Sequence, residues 1–170
     1  MSLVNSKWLY VARPEGRVSD SNYSLVTETL DPTSLTRNEV VVKMDYISVD
    51  PYMRIQQASR DTWEKPHPLN TVQGAGTIGH IIASASPAFS VGDVVLGYHG
   101  WQKYVKCHAS EVKKLDTDVE KISAYLGILG KTFFHLSTSF CLTFPFLKAC
   151  LVVRRGLVSW KPGVQDPERL

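Results

Sequence analysis

The stretch Ser48-Val49-Asp50-Pro51-Tyr52-Met53-Arg54 ends a strongly patterned strand. Before it, side chains alternate as in a strand with one buried face: Val40, Val42, Met44 and Tyr46 on one side, Lys43 and Asp45 on the other. Pro51 ends this pattern, because proline lacks the N–H that a sheet needs and disfavours helix at the residue before it. The sequence therefore predicts that Tyr52, Met53 and Arg54 lie where a strand passes into a turn, a common position for binding residues.

Other short strands are predicted on both sides of this stretch. They cover residues 7–11, 23–29, 39–49, 78–84, 94–98, 102–107 and 111–115, and a short helix is predicted over 119–129. Proline and glycine turns separate them. Many short strands at regular spacing are typical of a β-barrel or β-sandwich rather than of alternating strands and helices.

The composition excludes several classes of function. A chain of 170 residues can bury one good core, with or without a tail. The net charge of +3 is spread over mixed signs, and two basic doublets do not make a nucleic-acid-binding surface. Three cysteines without a CxxC pair predict neither a disulfide framework nor a zinc knuckle, as is usual in a reducing cytoplasm. Residues 1–7 lack the apolar run of a signal peptide.

The last forty residues have a different character. The aromatic and aliphatic residues of 133–147 follow neither the helical nor the strand period, and the apolar stretch is shorter than the ~20 residues of a transmembrane helix. Residues 160–170 are mostly polar and contain two prolines. We expect this tail to be irregular or disordered.

The stretch around Tyr52 is similar to a signature of the medium-chain dehydrogenase/reductase superfamily. In particular it resembles the zinc-free, NADPH-dependent double-bond reductases, which include prostaglandin, alkenal and curcumin reductases. The resemblance continues in order and spacing through residues 7–8, 89–95, 101–105 and 125–130. It implies that residues 1–130 form the GroES-like catalytic domain of this family, a mainly β, partly open barrel with one short helix near its end.

The resemblance ends at Gly130-Lys131, where a nucleotide-binding Rossmann domain would follow in the family. Residues 131–170 resemble no part of that domain, and we therefore expect this sequence to lack it. The resemblance to the family disappears within one residue, which suggests a truncation or an intron-derived end. The dipeptide Gly-Lys can be encoded by a DNA sequence that contains an intron donor site. The genomic DNA after the Gly130 codon would show whether an in-frame exon for the nucleotide-binding domain follows.

The resemblance implies a catalytic role for Tyr52. Reduction of a conjugated C=C bond places negative charge on the carbonyl oxygen, and a neutral phenol with a pKa of about 10 can donate a hydrogen bond there. Alternatively, Tyr52 packs under the barrel rim with its hydroxyl on a backbone carbonyl. Met53 is expected to line the substrate pocket or the cofactor crevice. Trp101 is expected to line the substrate pocket, although it fits the core equally well. Arg54 is a candidate for a cofactor contact or a rim salt bridge.

Residues Gly74-Ala75-Gly76-Thr77-Ile78-Gly79 match the G-x-G-x-x-G pattern of dinucleotide-binding turns. Such a turn needs an apolar strand before it and a helix after it. Residues 67–73 are not such a strand, and the β-branched residues that follow do not predict a helix. We interpret the glycines as positions of close backbone packing in a strand. NADPH is thus implied by the resemblance, but tight binding to this chain alone is not expected.

No zinc site is predicted. In zinc-dependent relatives, a histidine or glutamate and an upstream cysteine hold the catalytic metal, where this chain has Ala75, Gly76 and Asp50. The four-cysteine lobe for structural zinc has no counterpart. Cys107 and His108 are adjacent, and adjacent side chains of a strand point to opposite faces.

We therefore expect the substrate-side half of an NADPH-dependent reductase of enones or alkenals, inactive by itself. Its partner would be a small hydrophobic enone or alkenal, with no nucleic acid or membrane. The resemblance is compatible with a homodimer of the full-length family member, and the sequence does not determine the oligomeric state. An alternative is a catalytically inactive barrel that binds a partner protein, which co-purification would reveal. A third is a membrane or partner anchor in the aromatic tail, which its irregular pattern disfavours and fractionation would test.

Overall fold

The computed structural model describes residues 2–60, 65–117 and 121–127, together with the backbone of residues 151–154. The predicted mainly β fold is confirmed. In this part of the chain the strands are β1 (Leu3–Tyr10), β2 (Tyr23–Leu30), β3 (Glu39–Val49), β4 (Thr71–Val72), β5 (Thr77–Ser84), β6 (Val94–Gly97), β7 (Tyr104–His108), β8 (Lys113–Lys114) and β9 (Leu151–Arg154). The helix α1 covers Tyr52–Gln56, and 3₁₀ helices cover Asp20–Asn22, Ala109–Glu111 and Ile122–Leu126.

The strands form two antiparallel sheets. The three-stranded sheet has the order β2-β1-β4, and β1 and β2 pair over their full length, from Leu3 opposite Leu30 to Tyr10 opposite Tyr23. The six-stranded sheet has the order β7-β3-β5-β6-β8, with β9 also paired to β3. The sheets do not close on each other, as predicted for a partly open barrel.

Strand β3 connects the two parts of the core. A bulge between Met44 and Tyr46 interrupts its register with β5, and such a bulge bends a strand and redirects its side chains. Before the bulge, Val40, Val42 and Met44 pack in the core of the six-stranded sheet. After it, Ile47 and Val49 pack against a second cluster. That second cluster consists of Tyr10, Tyr23, Met53, Ala75 and Trp101. β3 therefore ends beside the core that carries α1.

Helix α1 begins directly after β3 and was not predicted as a helix. Pro51 precedes its first residue, where a missing N–H costs nothing. The backbone N–H groups of Met53 and Arg54 donate to the carbonyl oxygens of Asp50 and Pro51, both at 3.1 Å. Tyr52 therefore lies at the head of a short helix rather than in an open turn. The helix predicted near the end of the barrel is a 3₁₀ helix in residues 122–126.

Most of the tail lies outside the described residues, including the aromatic segment 133–147, so the predictions for 131–170 stay predictions. Within the tail, β9 pairs antiparallel with the second half of β3, from Tyr46 opposite Arg154 to Val49 opposite Leu151. In the described part of the chain, no helix has the length and apolar character that crossing a membrane requires.

Candidate active site

The hydroxyl of Tyr52 lies 3.0 Å from the hydroxyl of Tyr98. Tyr52 is half-buried at the head of α1, whereas Tyr98 directly follows β6 and is 50% exposed. The two residues come from separate elements, 46 positions apart in the sequence. Together they place two phenol groups, each able to donate and accept a hydrogen bond, at the edge of the second core cluster.

Gly74 makes room for this pair. A Cβ atom at Gly74 would lie 3.0 Å from the Tyr98 hydroxyl oxygen, 3.2 Å from its Cε1 and 3.4 Å from His67 Cε1. Burial lowers the pKa of His67, whose Nε2 lies 3.0 Å from the carbonyl oxygen of Val72. A neutral His67 imidazole whose Nε2–H donates to the Val72 carbonyl agrees with both the lowered pKa and this distance. The first glycine of the G-x-G-x-x-G match therefore lies under the tyrosine pair.

The end of α1 is fixed to the three-stranded sheet, and this sets the position of Tyr52. The Gln57 side-chain amide donates to the Tyr23 hydroxyl at 2.7 Å, and the Tyr10 hydroxyl donates to the Gln57 carbonyl at 3.4 Å. Arg13 donates to the carbonyl of Ala58 at 2.7 Å. Burial raises the pKa of Tyr23 to about 12, so the Tyr23 hydroxyl keeps its proton at physiological pH. Buried hydrogen-bond networks of this kind hold elements rigidly.

Met53 and Trp101 are buried in the core next to this site. Met53 is 5% exposed and Trp101 is 7% exposed. The Trp101 ring stacks on Tyr23 at 5.3 Å between centroids, and its indole N–H donates to the Ser48 carbonyl at 3.4 Å. These contacts give both residues a packing role beneath the tyrosine pair. Their contact with a substrate stays a prediction.

Arg54 lies on the opposite side of α1. Its guanidinium donates to the carbonyl of Gly16 at 2.8 Å. It lines an open cleft of about 410 Å³ together with Arg13, Arg60 and Glu15. Three guanidinium groups and one carboxylate give this cleft a positive charge, which suits an anionic ligand. A contact of Arg54 with a cofactor stays a prediction.

Comparison with known proteins places the chain in a family. A family model described as the N-terminal domain of oxidoreductase matches residues 6–115. The chain belongs to the family of double-bond reductases in the medium-chain dehydrogenase/reductase superfamily, of which it matches the N-terminal part. The resemblance seen in the sequence is thereby confirmed.

The relatives are considerably longer than this chain. It is 32% identical to an NADPH-dependent curcumin reductase of Escherichia coli (strain K12) over 126 residues, which are 74% of this chain and 36% of that protein. It is 37% identical to a 2-alkenal reductase (NADP(+)-dependent) of Nicotiana tabacum over 97 residues, or 55% and 28% of the two chains. A crystal structure of CurA from Vibrio vulnificus superposes with a TM-score of 0.71 at 28% identity, covering 78% of this chain and 39% of that one. The chain thus spans about a third of the length of the curated relatives it matches.

In this member of the double-bond reductases, residues 74–79 do not form a dinucleotide-binding turn. Strand β5 begins at Thr77, so a strand follows the glycines where a helix would be needed. Ser48 and Gly76 exchange hydrogen bonds, and a Cβ at Gly79 would overlap the carbonyl oxygen of Lys43 on β3. The interpretation of these glycines as close-packing positions is confirmed. The described residues therefore do not fit the pyrophosphate of NADPH at this motif.

The sequence did not reveal the contact between Tyr98 and Tyr52. Tyr98 stood at the end of a predicted strand, and nothing in the local pattern connected it to Tyr52. Gly74 gave a signal, since a glycine beside an exposed aromatic residue marks a close approach, but its partner is 24 positions away. Such pairs become visible only when β6 and α1 are placed in space.

Proposed function

We propose that this chain is the substrate-side part of an NADPH-dependent oxidoreductase that reduces the conjugated C=C bond of enones or alkenals. The observation that carries the proposal is the half-buried Tyr52 hydroxyl at the head of α1, facing the exposed Tyr98 hydroxyl, in a chain of the double-bond reductase family. The whole activity is a proposal because the chain spans only part of the length of its relatives.

Tyr52 would act on the carbonyl group of the substrate. As the conjugated C=C bond is reduced, negative charge develops on the carbonyl oxygen, and the Tyr52 O–H would donate a hydrogen bond to this oxygen. The same O–H could deliver a proton there, leaving the phenol oxygen of Tyr52 to regain one from solvent. The fixed end of α1, held through Gln57 and Arg13, supports the proposal, because a catalytic donor must be positioned before the charge develops.

The hydride donor would be held by residues other than those described. NADPH supplies a hydride in reductions of this kind, and its pyrophosphate is normally held where a glycine-rich turn begins a helix. Residues 74–79 lie in and before β5 instead. The described residues alone would therefore not complete the reaction.

Zinc independence is also part of the proposal. Ala75 is fully buried in the second core cluster. A side chain at Gly76 would meet the Ser48 hydroxyl at 3.1 Å and a methyl group of Leu126 at 3.2 Å from its Cβ. These contacts leave little space for a metal ligand at either position. Metal analysis of the purified protein by mass spectrometry should find less than one zinc per chain, and a stoichiometric zinc that survives dialysis against chelator would contradict this.

The decisive experiment is the substitution Tyr52→Phe in a reductase that carries these residues together with a nucleotide-binding domain. It should lower kcat on an enone on the order of 100-fold while changing KM much less, because the hydroxyl acts on charge present in the transition state. Tyr125→Phe, which removes a hydroxyl from a partly buried tyrosine of a different cluster, is the matched control and should keep normal kcat. Near-normal turnover of Tyr52→Phe would leave Tyr52 with the packing role alone.

A further inference from the structure

We propose that Tyr98 is a positioning residue for Tyr52, whose hydroxyl it orients by donating a hydrogen bond to the Tyr52 oxygen. This inference rests on the proposed function, since it assigns a second residue to the same site. Its basis is the 3.0 Å distance between the two hydroxyl oxygens.

The direction of the hydrogen bond follows from the chemistry of the three groups. A carbonyl oxygen can only accept a hydrogen bond, whereas each phenol can donate one and accept others. With a carbonyl bound at Tyr52, the arrangement that satisfies every group runs from Tyr98 to Tyr52 to the carbonyl oxygen. In this arrangement the Tyr52 hydrogen points at the substrate. A donor on the Tyr52 oxygen also stabilises the negative charge that this oxygen gains as its proton is shared, because chains of hydrogen bonds strengthen one another.

The surroundings of Tyr98 fit a functional contact better than a packing contact. Half of Tyr98 is exposed, and its side chain lies outside the three buried clusters formed by the described residues. Its hydroxyl and Cε1 occupy the space that a side chain at Gly74 would fill. Burial of apolar surface therefore explains little of its position. The hydroxyl contact and the glycine beneath it explain more.

The carbonyl stretch of a bound enone tests the inference with this chain. The probe is 4-phenyl-3-buten-2-one labelled with ¹³C at its carbonyl carbon, followed by infrared difference spectroscopy. A stronger hydrogen bond to the carbonyl oxygen lowers its stretching frequency. The wild-type chain should show a low-frequency shift, and Tyr52→Phe should abolish it. Tyr98→Phe should keep part of the shift, with a Kd changed by less than about threefold because Tyr98 does not touch the ligand.

Two further variants show whether a reduced shift comes from loss of the positioning contact or from misfolding. Gly74→Ala keeps both hydroxyls but places a methyl group 3.0 Å from the Tyr98 oxygen, so it should reproduce the reduced shift of Tyr98→Phe. The double variant Tyr52→Phe/Tyr98→Phe should match Tyr52→Phe alone. Circular dichroism and urea unfolding of each variant show whether it is folded. Tyr125→Phe should give the wild-type spectrum.

The outcomes distinguish the inference from the proposed function. A wild-type shift in folded Tyr98→Phe, together with its loss in Tyr52→Phe, would overturn the positioning role and leave the proposed function intact. Loss of the shift in Tyr98→Phe and its retention in Tyr52→Phe would reverse the two roles and also overturn the inference. Failure of the wild-type chain to bind the enone would count against the proposed function, and the inference would fail with it.

Discussion

Glycines 74 and 79 are identical residues with different neighbours. The space above Gly79 is filled by backbone, the carbonyl group of Lys43 on the adjacent strand. The space above Gly74 is filled by the far end of the Tyr98 side chain. A backbone carbonyl in a paired strand cannot move without breaking its ladder, whereas a half-exposed side chain can turn away. Gly79 therefore allows β5 to approach β3 closely, whereas Gly74 leaves space for the Tyr98 side chain.

We predict that Gly79→Ala destabilises the protein far more than Gly74→Ala does. Overpacking typically costs about 1–3 kcal/mol, and the overlap with the Lys43 carbonyl places Gly79→Ala at or above the upper end of that range. Gly74→Ala should cost less than about 1 kcal/mol, because Tyr98 can yield. The free energy of unfolding in urea measures both. Equal losses would mean that the Tyr98 side chain cannot turn away from a methyl group at position 74.

At the scale of elements, the sequence predicted long alternating segments well and short connecting ones poorly. The bounds of β3 were predicted correctly as 39–49, because eleven residues carry enough alternation to define a strand. Helix α1 has five residues, too few to display a helical period, and its N-terminal proline was interpreted as a break. Tyr52 was predicted as a site residue because its motif is local, and its catalytic role stays a prediction. The Tyr98 contact was missed because it depends on how β6 and α1 meet.

Strand β7 carries the buried thiol of Cys107, which should make the stability of the protein depend on pH in the alkaline range. Burial raises the pKa of Cys107 to about 12, with smaller contributions from the carboxylates of Glu111 and Glu39. In the unfolded chain the thiol ionises near 9.0. Between these values the folded state binds more protons than the unfolded state. The free energy of unfolding should therefore fall as pH rises above about 9, by up to about 1.4 kcal/mol per pH unit for this group.

The variant Cys107→Ala isolates that contribution. It loses some packing at every pH, but it has no thiol at position 107 to titrate. The advantage of wild type over the variant in urea unfolding should therefore narrow between pH 8 and pH 10.5, under reducing conditions. The remaining cysteines, 141 and 150, are present in both proteins and cancel in the difference. A difference that stays constant over this range would show that the Cys107 thiol ionises in the folded state as readily as in the unfolded chain.

At the scale of the whole molecule, a basic cleft lies beside helix α1, which carries Tyr52. Net charge is only +3, yet Arg13, Arg54 and Arg60 gather on one side of α1. Such a cleft attracts any polyanion without recognising it, and the attraction is screened over about 8 Å at physiological salt. Specific recognition of a dinucleotide needs backbone N–H groups at a helix start as well. This difference predicts how the chain should respond to NADPH.

We predict that the isolated chain binds NADPH with a Kd weaker than about 1 µM at 0.15 M salt, because the described glycine-rich segment leads into strand β5 and presents no helix start to the pyrophosphate. Calorimetric titration measures this directly. Any weak binding at low salt should come from the cleft, so Arg54→Ala should reduce it, whereas Arg37→Ala, an exposed arginine just before β3, should leave it unchanged. A Kd below about 1 µM that does not change with salt concentration would contradict the prediction. If such binding also survived Arg54→Ala, the cleft would be excluded as its cause, and the hydride donor would have a specific site within this chain.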